Sequence, residues 1–190
     1  MDLLIFGLPG GGKGTQGDLL TKRFHYHKMS TGELLRQQVK LNTSLGRIAK
    51  AHMDDGNLVP DDVIIAFVRE QVASLTLGTS LLFDGFPRTM RQNEALEKML
   101  SSLNREIGGV IYLKAPEDLV VQRMLARGRT DDSEQAIRRR IQSYHLATKQ
   151  LLEYYCHRGL MSEVDGVGTP EEVHNRIVAS VSLAGSDRDP

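Results

Sequence analysis

The chain has 190 residues, 40% hydrophobic and 25% charged, the size and balance of one globular domain that buries most of its apolar surface. Lysine plus arginine equal aspartate plus glutamate at 24 each, which excludes a net field toward nucleic acid or an anionic membrane. The single cysteine, Cys156, excludes an internal disulfide and argues against a cysteine-rich zinc site; with no signal-like or membrane-spanning apolar run, a reduced cytoplasmic setting is expected.

Along the chain, short apolar runs alternate with longer amphipathic stretches, as in βαβ units around a parallel sheet. Strands are predicted at residues 2–6, 27–29, 80–84, 109–113 and 162–165. Helices are predicted at 13–24, 31–41, 44–55, 60–76, 89–103, 116–127, 133–157 and 170–183. Thr31, Asp61, Ser133 and the pair Thr169–Pro170 serve as start signals. Two short helices ahead of 60–76 exceed what one crossover needs, so residues 30–59 are predicted to form a small subdomain hung on the core. The polar tail AGSDRDP is expected to fray.

The stretch FGLPGGGKGTQ, residues 6–16, fits G-x-x-x-x-G-K from Gly7 to Lys13 and stands between a predicted strand and a predicted helix, as that motif requires. Glycines let the backbone curl so that successive N–H groups converge on a phosphate, and Lys13 adds a point charge. A glycine-rich turn with an incidental lysine is the bland alternative, and the flanking context weighs against it. The cradle alone leaves hydrolysis, transfer and simple binding open. Gly14 rather than Ser or Thr follows the lysine, so the hydroxyl that usually ligates Mg²⁺ in such loops is missing there. Metal held through nucleotide phosphates and waters is then expected, with Asp84, at the carboxyl end of LLFD, orienting those waters. A turn cap before Gly85 is the structural alternative for Asp84.

Ligands of an open parallel sheet sit beyond the carboxyl ends of its strands. Arg88, in DGFPRT, leaves one such end. Arg123 and Arg127 are four apart on one helix face, a like-charge pair that costs about 0.2–0.5 kcal/mol and that a bound anion would relieve. Arg129 follows in RGRTDD. In the helix at 133–157, Ile137, Ile141, Tyr144, Thr148, Leu151 and Tyr155 form one inward stripe. Arg140 lies roughly 60° from its centre, Arg138 roughly 100°, and Arg139 nearly opposite. Arg140 therefore borders the interior and Arg139 faces solvent. A surface salt bridge explains any one of these arginines. Five around one phosphate loop point to an anion site.

Phosphoryl transfer asks for positioning and charge neutralisation, which arginine forks supply. A phosphate monoester acceptor, with a second pKa near ~6, needs no general base at pH 7. None is evident: His25, His27, His52, His145, His157 and His174 show no motif context and read as surface or helix positions. An alcohol acceptor would call for an Asp base, and Asp84 is better used on metal. The pattern favours a nucleoside monophosphate as acceptor.

Taken in order, GLPGGGKGTQ, STGELLR, DGFPRTMRQ, RGRTDD and IRRRIQSYH resemble the adenylate kinase family, over residues 2 to about 180. The resemblance implies an α/β, three-layer P-loop fold with a five-stranded parallel sheet and helices on both faces. It implies a core at 1–29, an AMP-binding insert at 30–59, core again at 60–126, a short lid at 127–132 and core at 133–190. The implied reaction interconverts ATP plus AMP with two ADP, using Mg²⁺, in a monomer. Position by position, Gly10, Gly11, Gly12, Lys13, Gly14 and Thr15 would hold the ATP phosphates, GKGT being usual in this family. Arg123 would lie against the ATP base, with Arg127 on ATP phosphate.

Thr31, Arg36, the backbone of Asn57, Leu58 and Val59, then Gly85, Phe86, Pro87, Arg88 and Gln92, match AMP-contacting positions. Arg129 and Arg140 match arginines that clamp the transferring and acceptor phosphates, which makes Lys13, Arg88, Arg129 and Arg140 the implied catalytic set. Asp131 and Asp132 match acids that hold the closed lid. Only Gly128 to Thr130 separates Arg127 from Asp131, the short-lid form without zinc. Glu33 stands where Asp is common, which leaves a metal-water role there open. Gly168 replaces a frequent lysine, so only its carbonyl can contact the ATP base, and Asn57 replaces the commoner Gln or Lys.

Related UMP/CMP kinases share the loop, the arginines and the fold. They tend to carry Ala where this chain has Thr31 and Asn where it has Gln92, so both positions favour AMP. A Gln amide can pair in two directions with adenine. A non-catalytic nucleotide-binding module would have lost Lys13 or the arginines, and a regulatory GTPase would carry an N-K-x-D segment after a strand. This chain does neither.

Overall fold

The computed structural model describes residues 1–75 and 78–186. Its five strands are β1 (Asp2–Gly7), β2 (His27–Ser30), β3 (Leu81–Asp84), β4 (Ile107–Lys114) and β5 (Met161–Asp165). They form one sheet in the order β2-β3-β1-β4-β5, every neighbouring pair parallel. Its helices are α1 (Lys13–Phe24), α2 (Thr31–Lys40), α3 (Ser44–Asp54), α4 (Asp61–Ala73), α5 (Met90–Ser101), α6 (Glu117–Arg127), α7 (Glu134–His157) and α8 (Pro170–Ser186). The predicted end of the fourth helix at residue 76 and the last four tail residues lie outside the described residues. Residues 184–186, expected to fray, instead complete α8. Among the described residues no helix is long and apolar enough to cross a membrane.

Alternation along β1 explains the layers. Leu4 and Phe6 join Phe83, Ile64, Val68, Leu96, Leu151 and Tyr155 on the face covered by α4, α5 and α7. Leu3 and Ile5 join Leu82, Ile111, Leu20, Val173 and Ile177 on the face covered by α1 and α8. Burial on both faces is what a parallel sheet needs, and each such side chain contributes about 1.5–3 kcal/mol. The chain winds to one side of β1 through β2 and β3, then crosses it to reach β4 and β5, so the strand order reverses beside β1. That reversal opens a crevice at the carboxyl ends of the strands.

β4 begins at Ile107, two residues before its predicted start at Gly109; Gly108 and Gly109 both permit close approach to the neighbouring segment of the chain. A Cβ on Gly108 would stand 2.1 Å from Met1 Cγ, and one on Gly109 would stand 3.1 Å from Leu3. Beneath this edge lies an ion pair that the sequence did not reveal: Arg105 Nε donates to Asp2 Oδ2 at 2.8 Å, and Asp2 Oδ1 accepts from the Leu81 N–H at 2.8 Å. Ser133 caps α7 and Thr169 caps α8 through its hydroxyl, as their start signals require. Thr31 and Asp61 are instead the first helical residues, and both side chains point to work elsewhere.

His174 takes the helical of the two positions expected of it, surface or helix, and is buried there. It is 7% exposed on α8, its Nδ1 has no hydrogen-bond partner among the described residues, and its ring lies 6.5 Å from that of Phe24. Burial, helped by the Arg23 charge, holds its pKa below the ordinary histidine value. The unfolded chain then takes up this proton first, so stability is full above about pH 6.5 and declines as pH falls through it, flattening below the folded pKa. Unfolding free energy of the wild type should fall more steeply between pH 7 and 5 than that of His174→Leu. Equal slopes would overturn this account.

Candidate active site

The loop after β1 is shaped by its glycines. Gly10 has φ +82°, and a Cβ there would stand 2.6 Å from Met124 Cγ of α6; Gly12, with φ +97°, forms the left-handed N-cap of α1. Only glycine adopts both without strain. The first N–H groups of α1, at Lys13, Gly14 and Thr15, lack intrahelical partners and carry the positive end of the helix dipole. Lys13 Nζ spans the loop, donating to the carbonyls of Gly7 at 2.8 Å and Leu8 at 2.9 Å. Burial lowers its pKa to about 8; Asp84 opposes the fall, while Arg88 and Arg127 add to it.

A tight turn follows β3. Gly85, with φ +82°, admits two neighbours: a Cβ there would stand 2.9 Å from Thr31 Oγ1 and 3.1 Å from an Arg88 nitrogen. The Thr31 hydroxyl donates to the Gly85 carbonyl at 2.9 Å, which leaves its lone pairs free to accept. Arg88 Nε donates to the same carbonyl at 2.9 Å. Burial lowers the Arg88 pKa against the pull of Asp84, and burial lowers Arg36 likewise, with Arg129 adding to it. Gln92 is 2% exposed, and its carbonyl accepts the Arg88 N–H at 2.7 Å. Asp84 accepts from Ser30 Oγ at 3.2 Å, at the ends of adjacent strands.

Between α6 and α7 two carboxylates gather two arginines. Asp132, whose side chain is fully buried, accepts from Arg127 Nε at 2.9 Å and Nη2 at 3.0 Å, and from Arg140 Nη1 at 3.0 Å. Asp131 accepts from Arg140 Nη2 at 2.6 Å. The same nitrogen donates to the Met53 carbonyl at 3.1 Å, tying α7 to the end of α3. The like-charge cost expected of Arg123 and Arg127 is thus relieved by Asp132 within the chain. Arg138 is exposed against Glu134, and Arg139 is exposed too, as the helical geometry predicts.

These elements enclose a cleft of about 620 Å³, lined by the phosphate loop, Thr31, Arg36, residues 57–59, Asp84, Gly85, Pro87, Arg88, Gln92, Arg123, Arg127, Arg129, Asp131, Arg140 and Gly168. The adenylate kinase family model matches residues 5–160. An adenylate kinase of Thermus thermophilus is 42% identical over 185 residues, covering 95% of this chain and 97% of that relative. One of Synechococcus sp. is 43% identical over 180 residues, covering 95% and 98%. One of Leptospira biflexa is 38% identical over 183 residues, covering 94% and 98%.

The chain belongs to the adenylate kinase family. It is a nucleoside monophosphate kinase by that membership, and its five-stranded parallel α/β sheet is the family's P-loop fold.

Phe86 and Asp132 of this adenylate kinase family member are absent from the cleft lining. The Phe86 side chain is 1% exposed and packs in the core with Phe83 and Leu96, so it holds the turn from beneath and lines no part of the cleft. Asp132 is buried and pairs with Arg127 and Arg140. The inward stripe of α7 divides: Ile137 and Ile141 pack on α6, whereas Tyr144 and Thr148 line the cleft. Thr148 Oγ1 is buried with no partner among the described residues. Two hydroxyls four residues apart within an apolar stripe, Tyr144 and Thr148, were the available sign. Among the described residues, Lys13, Arg36, Arg88, Arg123 and Arg129 have no carboxylate within ion-pair distance, and the cleft concentrates positive charge.

Proposed function

We propose that the chain transfers the terminal phosphoryl group of ATP to AMP, giving two ADP, with Thr31 and Gln92 selecting the adenine of AMP. The observation that carries this reading is the gathering of Arg36, Arg88 and Arg129, without carboxylate partners, in one cleft with the Lys13 loop. An AMP phosphate oxygen, already ionised at pH 7, bonds to the γ-phosphorus as the bond to the β–γ bridging oxygen breaks. No proton leaves the acceptor, so no general base is needed. Gly10 to Thr15 cradle the ATP phosphates, Arg123 and the Gly168 carbonyl flank the ATP base, and Arg127 meets ATP phosphate. Arg88, Arg129 and Arg140 neutralise the transferring group, while Arg36, the 57–59 backbone and the Gly85 to Arg88 turn hold AMP.

Mg²⁺ travels with ATP and spreads positive charge over its phosphates. A Cβ on Gly14 would stand 3.7 Å from Glu33 Oε1 and 3.9 Å from Asp84 Oδ2, so two hard carboxylate oxygens face the start of α1 and suit the waters of a hydrated Mg²⁺. The same reading makes residues 30–59 the AMP-binding unit and 127–132 a short lid without zinc, closed by Asp131 and Asp132. It makes the enzyme a cytoplasmic monomer, in keeping with its lone cysteine.

A coupled assay with ATP against AMP, CMP, UMP and GMP tests this. AMP should exceed CMP and UMP by at least about a hundredfold in kcat/KM, on the order of two buried hydrogen-bond penalties. Phosphate release from ATP alone should be far slower than transfer. Equal use of CMP and AMP would overturn the adenine assignment, and robust hydrolysis without AMP would make the chain an ATPase.

A further inference from the structure

Asp61, the first residue of α4, does not line the cleft. Its carboxylate is nonetheless spent on residues that do or that flank them. Oδ1 accepts from Gln92 Nε2 at 2.7 Å, and Oδ2 accepts from Thr89 Oγ1 at 2.8 Å. Thr89 Oγ1 in turn accepts the Gln92 N–H at 3.2 Å, which commits the hydroxyl proton to Asp61. Gln92 Oε1 accepts from the Arg88 N–H at 2.7 Å. Turning the Gln92 amide over would set its NH₂ against that N–H and its carbonyl against the carboxylate, two repulsions in place of two bonds. The helix N-terminus favours the Asp61 charge where it stands. Asp61 also follows Val59 by two residues, so it joins the segment at 57–59 to the start of α5.

We infer that Asp61 is a positioning residue for base selection, acting through Gln92; the inference rests on the AMP site proposed above. With both ends tied, the Gln92 amide keeps one N–H and one carbonyl lone pair for a ligand, in a fixed order. Adenine presents an exocyclic N–H donor beside the N1 acceptor. Hypoxanthine presents the reverse, a carbonyl acceptor beside an N1–H donor. A free amide serves either edge by rotating about its last side-chain bond, whereas a locked one serves a single order. Thr31 Oγ1, whose proton goes to the Gly85 carbonyl, can only accept from a base and so favours the amine of adenine.

The experiment is steady-state kinetics with ATP as donor and AMP or IMP as acceptor, on the wild type, Asp61→Ala, Asp61→Glu and Asp61→Asn. Loss of a charge-assisted bond should raise the KM for AMP about tenfold and lower the AMP:IMP ratio of kcat/KM by a similar factor. The KM for ATP should hold and kcat should change less than about threefold. Asp61→Asn should recover most of the ratio, since its carbonyl can accept from Gln92 Nε2 and its amide can donate to Thr89 Oγ1. Asp61→Glu keeps the charge at the helix start but moves the carboxylate by one methylene, so it should also lose the ratio even if Asp61→Ala fails to fold. A wild type that prefers AMP, with Asp61→Ala or Asp61→Glu keeping that ratio within twofold, overturns the role of Asp61 alone. Both KM values rising together at an unchanged ratio would do the same. A wild type that uses AMP and IMP equally overturns the base-site reading and this inference with it.

Discussion

Arg88→Ala should lower turnover by ~10³–10⁵, the scale of a catalytic arginine in phosphoryl transfer, while the thermal midpoint stays level or rises. Arg88 has no carboxylate partner among the described residues, and its side chain donates from Nε to the Gly85 carbonyl. Burial and the Arg140 charge already work against its positive form, with Asp84 opposing them. Deleting it removes repulsion from the free protein and removes charge neutralisation from the transition state, so the two readouts should separate. Turnover of ATP with AMP, set beside thermal unfolding, measures both. A loss of less than about tenfold, ~1.4 kcal/mol, would show that Arg88 does not neutralise the transferring group.

Arg140→Ala should fail on both counts. The same loss of turnover is expected, since Arg140 faces the cleft, but here the deletion also strands Asp131 and leaves Asp132 with Arg127 alone. Breaking a buried pair by removing one partner costs about 3–5 kcal/mol. For a chain of this size that is roughly 6–20 °C of thermal midpoint. Adding Asp131→Asn to Arg140→Ala should recover part of the midpoint and none of the turnover. A single Arg140→Ala variant that is inactive yet as stable as the wild type would mean that the two carboxylates do not need this arginine in the folded chain.

The sequence carried the fold through periodicity: all five strands and eight helices stand where alternating apolar runs and amphipathic stretches put them, with ends shifted by a few residues. The predicted β4 starts at Gly109 and so omits Ile107 and Gly108; a glycine read one strand at a time does not show that Gly108 makes room for Met1. The phosphate loop and the Arg140 orientation were legible because local geometry decides both. Motif matching does not distinguish a backbone contact from a side-chain one, and the Phe86 side chain turns into the core, which leaves only its backbone to meet a ligand. Asp61 passed for a helix start signal, since its partners lie 28 and 31 residues away and no local pattern records them. His174 reads as one polar residue on an amphipathic helix until α1 is seen to cover it.

The cations without carboxylate partners in the cleft belong to a molecule whose formal charges sum to zero. Five such cations, Lys13, Arg36, Arg88, Arg123 and Arg129, are balanced by acids over the chain, Glu33 and Asp84 at the same cleft among them. The positive charge is therefore local to the cleft, and the chain as a whole carries no formal net charge. Beyond a Debye length of ~8 Å at physiological salt that local charge is largely screened, so an anion feels it only on reaching the cleft. A cleft rich in unpaired cations on a chain with no formal net charge thus attracts anions at short range only.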